Sequence, residues 1–149
     1  MLTLADVLEA LTSIRPANLT AVVTEAVIDS RQVIPGSLFV AIPGEKADGH
    51  NFIGDAFKRG ASFALTQQDM SASFQTLDLR GDFKADATLN LDSPLCLRVD
   101  NTVSALQQIA RFWRRRLKNL RVIGITGSVG KSTTKEMVAA VLAAKGPVL

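Results

Sequence analysis

Val122-Ile-Gly-Ile-Thr126-Gly127-Ser128-Val129-Gly130-Lys131-Ser132-Thr133 is the stretch that decides the fold of this 149-residue chain. An apolar run reads as a strand, a turn with two glycines follows, and residues 131–144 carry a helical pattern. A strand that delivers such a turn onto a helix N-terminus aims backbone N–H groups and the positive end of the helix dipole at an anion. Gly127 and Gly130 permit tight backbone conformations and close phosphate approach. In this pattern Lys131 reaches β- and γ-phosphates, the Ser132 hydroxyl can ligate Mg²⁺, and Thr126, Ser128, Val129 and Thr133 complete the cradle. The strict spacing G-x-x-x-x-G-K-[ST] would need glycine at 125, where the chain has Ile125. The core G-x-x-G-K-S-T is intact, and its strand–loop–helix setting outweighs a plain glycine turn with a surface lysine. The hydroxyls of Thr133 and Thr134 can equally serve the local backbone.

The upstream pattern alternates. Thr3 and Asp6 form a capping-box variant ahead of Leu4, Val7, Leu8 and Leu11, so residues 4–12 are expected to be an amphipathic helix. Ala21–Val23 and Ala26–Ile28 read as short strands, Pro35-Gly36 as a turn, and Ser37–Ile42 as a buried strand. Residues 44–50 are a polar loop, in which Asp48 reads as a loop former and His50 as a hydrogen-bonding residue rather than a general base. A helix near 52–57 ends at Gly60, and residues 62–66 and Leu95–Val99 read as strands. Residues 67–93 form a polar excursion with one short strand at most. Asp100-Asn101-Thr102 supplies a helix cap, with Asp100 as the capping side chain. Val103, Leu106, Ile109, Ala110, Trp113 and Leu117 mark the buried stripe of a helix over 103–118.

Alternating helices and short apolar strands predict an α/β fold with a largely parallel sheet. The boundary falls at 118–121. Residues 1–118 are expected to be one complete small domain, and 119–149 the first strand, loop and helix of a second, incomplete one. The apolar residues Met137, Val138, Val141 and Leu142 of its helix would then stand exposed or pack on a neighbour.

Composition narrows the function. With 47% hydrophobic and 21% charged residues, the chain can bury a core, which excludes global disorder. The net charge is only +3, and six basic residues fall in the eleven positions from Arg111 to Arg121. On a helix end they are a solvated face that also suits the dipole, not a nucleic-acid surface. One cysteine and one histidine exclude an internal disulfide and a structural zinc cluster, and Cys96 in its apolar run reads as a buried strand residue. The N-terminus carries Asp6 and Glu9 inside its apolar stretch, unlike a signal peptide, and no apolar run approaches the ~18 residues of a membrane span. A cytoplasmic monomer is the expectation.

Ile125-Thr-Gly-Ser-Val-Gly-Lys-Ser132 resembles the P-loop of the Mur ligase superfamily, where an aliphatic residue in place of the first glycine is usual. Thr133-Thr-Lys-Glu-Met137 is similar to the branch that adds D-alanyl-D-alanine. Upstream, Asp29-Ser-Arg31, Pro35-Gly-Ser-Leu-Phe-Val-Ala41, Gly44-Glu-Lys-Ala-Asp-Gly-His50, Phe52, Gly60-Ala61 and Val99-Asp-Asn-Thr102, with Ala105, Leu106 and Trp113, resemble the N-terminal domain of that branch and of the third-residue-adding branch. The resemblance covers most of the chain outside 67–93.

It implies an ATP- and Mg²⁺-dependent amide ligase of peptidoglycan synthesis. Its substrates would be UDP-N-acetylmuramoyl-tripeptide and D-Ala-D-Ala, joined through an acyl phosphate. Lys131 would be the catalytic clamp on the transferred phosphoryl group. Ser30 and Arg31 match the motif at the uridine side of the precursor, although Asp29–Arg31 alone could be a strand-end turn with a surface arginine. Gly44, Glu45, Lys46, Asp48 and His50 match the nucleotide-sugar loop. The family's proteins are much longer, so the 149-residue chain is expected to bind precursor without ligase activity. The alternatives are a fragment of the third-residue-adding ligase, a stand-alone nucleotide-sugar-binding module, or a switch GTPase, which would leave the first 118 residues without a role.

Overall fold

The computed structural model describes residues 1–45, 47–81, 83 and 91–148. The chain divides into two compact units, Met1–Leu117 and Lys118–Leu149.

The N-terminal unit is built on a five-stranded parallel sheet. In chain order its strands are β3 (Ala26–Val27), β4 (Leu38–Val40), β5 (Phe63–Thr66), β6 (Gln75–Asp78) and β7 (Leu95–Arg98). Their spatial order is β3-β4-β5-β7-β6, with every pairing parallel. A separate antiparallel pair joins β1 (Leu2–Thr3) to β2 (Val22–Val23). Because the parallel sheet is covered on both faces, its central strands are continuous apolar runs. Leu38, Val40, Phe63, Leu65, Leu95 and Leu97 face one side and pack with Leu4, Val7 and Leu8 of α1 (Leu4–Thr12) and with Ala105 and Ile109 of α3 (Thr102–Arg116). Phe39, Ala64 and Cys96 face the other side and pack with Ile53 and Ala56 of α2 (Ile53–Lys58).

The helix boundaries follow from capping chemistry. Thr3 Oγ1 accepts the Asp6 N–H at 3.3 Å, and an Asp6 carboxylate oxygen accepts the Thr3 N–H at 2.8 Å, so the expected capping box forms. Asp6 does more than cap. Its side chain is buried, accepts from Arg15 Nη1 at 2.7 Å, and also pairs with Arg116 of α3. Burial alone would raise this carboxyl. The hydrogen bonds from Arg15 and Thr3, with the Arg116 charge, outweigh it and hold the group at about 2. The Arg116 guanidinium also lies over the Phe112 ring, 4.8 Å from its centroid. One member of the basic cluster therefore ties α3 to α1, where only a solvated face was expected.

Two details of α3 differ from the sequence expectation. Asn101, not Asp100, is the N-cap, and its side chain accepts the Ser104 N–H at 2.8 Å. The buried stripe is Thr102, Ala105 and Ile109, while Val103 and Ala110 point to solvent. Ile109 and Leu106 of the expected stripe do pack on the core, Leu106 partly buried. Thr102 is drawn inward because its hydroxyl donates to the Ala41 carbonyl at 2.9 Å. The polar excursion contributes the edge strand β6, and its residues 82 and 84–90 lie outside the described residues.

In the C-terminal unit α4 spans Lys131–Ala143. The run Val122–Thr126, expected as a strand, forms no ladder. A strand needs a paired neighbour, and no other strand exists among the described residues of this unit. None of the α4 residues is buried: Met137 is 66% and Val141 73% exposed. No helix among the described residues is long and apolar enough to cross a membrane.

Candidate functional site

In the C-terminal unit, Gly130 adopts φ +77° and ψ 6° and is the N-cap of α4. That left-handed conformation turns the chain from loop into helix, which a residue with a Cβ would do only under strain. Gly130 offers no side-chain cap, and among the described residues nothing accepts the N–H groups of Lys131, Ser132 and Thr133. The first intrahelical bond is Thr134 N–H to the Gly130 carbonyl, at 2.9 Å. Three orphan donors at the positive end of a thirteen-residue helix form an anion cradle. Lys131 crosses the loop, its ammonium donating to the Gly127 carbonyl at 2.5 Å. An open cleft of about 280 Å³ is lined by Ile123, Ile125, Lys131, Ser132 and Lys135. Thr126, Ser128 and Val129 lie exposed on the same loop, and Thr133 is exposed on the first turn of α4. This donor set fits a phosphate chain. The Ser132 hydroxyl, free of any partner among the described residues, fits a magnesium ligand beside it.

In the N-terminal unit, the other expected site residues leave the carboxyl ends of the adjacent strands β3 and β4. Ligands of open parallel sheets gather at this edge. Asp29 caps a short 3₁₀ turn, Ser30–Gln32, which packs against α2. Arg31 is exposed and grips Asp29 with two nitrogens, Nε to Oδ1 at 2.9 Å and Nη2 to Oδ2 at 2.7 Å. These bonds from Arg31 hold the Asp29 carboxyl at about 2. Ser30 stands beside them with no side-chain hydrogen bond among the described residues.

Gly44 and Glu45 lie on the loop after β4, exposed to solvent, and Lys46 lies outside the described residues. Asp48 caps the 3₁₀ turn Gly49–Phe52. Its carboxylate accepts the His50 N–H at 3.0 Å, the His50 ring at 2.5 Å and the Gln68 amide at 3.0 Å. Those bonds, the backbone one foremost, shift the Asp48 carboxyl below its ordinary value. His50 is buried, and its Nε2 accepts the Gln67 N–H at 3.0 Å, so the ring proton sits on Nδ1 toward Asp48. His50 is thus a loop-fixing residue. Gln67 and Gln68 were not singled out from the sequence, and Thr102 was read only as part of a helix cap. The available signal was Thr66-Gln-Gln68, a polar run at the end of an apolar strand.

The profile of the Mur ligase family, catalytic domain, matches residues 22–114. Among curated relatives, the UDP-N-acetylmuramoyl-tripeptide–D-alanyl-D-alanine ligase of Synechocystis is 38% identical over 120 residues, 80% of this chain and 22% of that protein. The UDP-N-acetylmuramoyl-L-alanyl-D-glutamate–2,6-diaminopimelate ligase of Chlorobaculum tepidum is 36% identical over 127 residues, 85% of this chain and 22% of that protein. A crystal structure of MurF from Acinetobacter baumannii matches with a TM-score of 0.68 at 27% identity, over 96% of this chain and 28% of that one. The MurF ligase of Thermotoga maritima in complex with ADP matches with a TM-score of 0.55 at 29% identity, over 92% of this chain and 25% of that one. The chain therefore spans about a fifth of the length of the curated relatives it matches.

Proposed function

This chain belongs to the Mur ligase family, and we propose that it is the N-terminal part of an ATP-dependent amide ligase that adds D-Ala-D-Ala to UDP-N-acetylmuramoyl-tripeptide. The N-terminal unit holds the precursor. Ser30 and Arg31 take the uridine side, and Gly44, Glu45, Lys46, Asp48 and His50 form the loop at the nucleotide sugar. The C-terminal unit begins the ATP site, with Thr126–Thr133 around the phosphates. The uncovered apolar side chains of α4 belong against the remainder of that ATPase domain in the whole protein.

The observation that carries this reading is the start of α4. Three unpaired N–H groups follow the αL Gly130, and the Lys131 ammonium reaches back over the loop to the Gly127 carbonyl, a donor set that suits the phosphates of a nucleotide. In the ligation, a carboxylate oxygen of the tripeptide attacks the γ-phosphorus and ADP leaves. The amine of D-Ala-D-Ala then attacks the acyl carbon, and phosphate departs as the amine loses a proton. Mg²⁺, when bound, would neutralise charge on the phosphates. Lys131 and the orphan N–H groups stabilise the charge that grows on the transferred oxygens. Ser132 offers the metal a hydroxyl ligand.

The relative from Chlorobaculum tepidum favours a second reading, addition of the third residue to a shorter precursor. The amine substrate separates the two. The whole protein, supplied with Mg-ATP and UDP-N-acetylmuramoyl-tripeptide, is expected to release phosphate only when D-Ala-D-Ala is added. Lys131→Ala is expected to lower that rate at least about a hundredfold. Phosphate release with diaminopimelate and the dipeptide precursor, and none with D-Ala-D-Ala, would establish the second reading instead.

A further inference from the structure

The loop after β4 is held by a closed circuit of hydrogen bonds. At its start, the Ala41 carbonyl accepts the Thr102 hydroxyl at 2.9 Å. At its end, His50 Nε2 accepts the Gln67 N–H at 3.0 Å. Gln67 and Thr102 are themselves joined, because Gln67 Oε1 accepts the Thr102 N–H at 3.4 Å. Both ends of the excursion 42–49 are thereby fastened to one pair of residues, at the ends of β5 and the start of α3. Within it, Gly49 lies so close to Ile42 that a Cβ would stand 2.6 Å from the Ile42 nitrogen and 2.8 Å from its oxygen. The Gln67 N–H is a backbone donor at the end of a buried strand, and such a donor requires an acceptor. Here the acceptor is the imidazole of a residue seventeen positions away, itself 5% exposed.

We propose that His50 is a positioning residue for precursor binding. Its bond to the Gln67 N–H, with the contact to Asp48, fixes the end of the loop at Asp48–His50, and the residue works without touching the ligand. The inference rests on the reading of that loop as the precursor's nucleotide-sugar contact. Asp48 orients the ring, the Gln67 N–H anchors it, and Thr102 ties Gln67 to the start of the loop at Ala41. A preformed loop binds without having to be ordered first, which is where the affinity comes from.

Two substitutions separate the two nitrogens of the ring. In His50→Gln the side-chain oxygen can reach the place of Nε2 and still accept the Gln67 N–H. In His50→Asn the side chain reaches only the place of Nδ1, so the contact with Asp48 survives and the tie to β5 is lost. Thr102→Val opens the circuit from its far side, away from the loop. Calorimetric titration of the chain with UDP-N-acetylmuramoyl-tripeptide, with hydrogen exchange of the Gln67 amide, reads the result. Expected are a loss of affinity of about tenfold in His50→Asn, within about threefold of wild type in His50→Gln, and a severalfold loss in Thr102→Val. The Gln67 amide should exchange faster in His50→Asn than in His50→Gln. Should His50→Asn fail to fold, Thr102→Val carries the comparison. Wild-type affinity in both His50→Asn and Thr102→Val would overturn the positioning role while leaving the loop's reading intact. Equal losses in His50→Gln and His50→Asn, with both folded, would overturn it in favour of direct ring contact. Absence of precursor binding by the wild-type chain would overturn the reading beneath it.

Discussion

Replacing Asp6 with Asn removes one negative charge from a buried knot that joins α1, Arg15 and α3. The Asp6 carboxyl sits at about 2 in the folded chain, against an ordinary value of 3.8. A depression of that size is worth about 2 kcal/mol of folding stability at neutral pH. Because the folded value lies below the unfolded one, the contribution is complete above about pH 4 and is lost as the pH falls toward 2. Asn retains an oxygen for the Thr3 N–H, so the cap survives, while its amide group replaces the charged oxygen that accepts from Arg15 and Arg116. Losing a partner from a fully buried ion pair costs about 3–5 kcal/mol. Here Arg15 and Arg116 are 46% and 41% exposed and keep Glu9 as a partner, so solvent lowers the cost. Urea unfolding followed by the fluorescence of Trp113, the one tryptophan of the chain and a residue of α3, reports the N-terminal unit. At pH 7 the Asp6→Asn midpoint should fall by roughly 1 to 2 M. The gap to wild type should close between about pH 4 and 2. A variant as stable as wild type at pH 7, or a gap that persists unchanged at pH 2, would refute the assignment of this carboxylate as the clamp between the helices.

Two further outcomes follow from packing and burial. Gly49→Ala drives a methyl into the backbone of Ile42, with contacts of 2.6 and 2.8 Å, and should cost about 1–3 kcal/mol in the same unfolding assay; an unchanged midpoint would show that the loop yields. Burial pushes the Cys96 thiol up to about 12. A thiol reagent at pH 8 should therefore leave it untouched in the folded chain and modify it at the rate of unfolding. Fast native labelling would contradict its place between the sheet and α2.

Much of the architecture was legible because local signals and burial agree. The Thr3–Asp6 box, the continuous runs of β4, β5 and β7 and the glycine at 130 each have one physical meaning. Leu106 and Ile109 of the expected stripe do pack on the core, whereas Val103 and Ala110 do not, although they are as apolar as Ala105. What the pattern misses is Thr102, a buried polar residue whose partner at Ala41 lies sixty-one positions upstream. Arg116 looked like its solvated neighbours for the same reason, since its partner Asp6 is distant in sequence. The expected strand Val122–Thr126 has the right composition but no neighbour to pair with, and composition cannot supply one. In the candidate site, the glycine loop and the Asp48–His50 segment announced themselves by residue type. Gln67 and Gln68 did not, and Thr102 was legible only as part of a cap, because ordinary polar side chains acquire such a role only where the sheet brings three strand ends together.

Recognition of a UDP-linked muramoyl peptide by the N-terminal unit is the proposal on which the others depend. Calorimetric titration of the chain with UDP-N-acetylmuramoyl-tripeptide, with UDP and Mg-ATP as comparison ligands, tests it most directly. Expected are saturable binding of the precursor, weaker binding of UDP at the same site, and reduced affinity in Ser30→Ala. Tight binding of a nucleoside triphosphate with no heat from the precursor or UDP would contradict it.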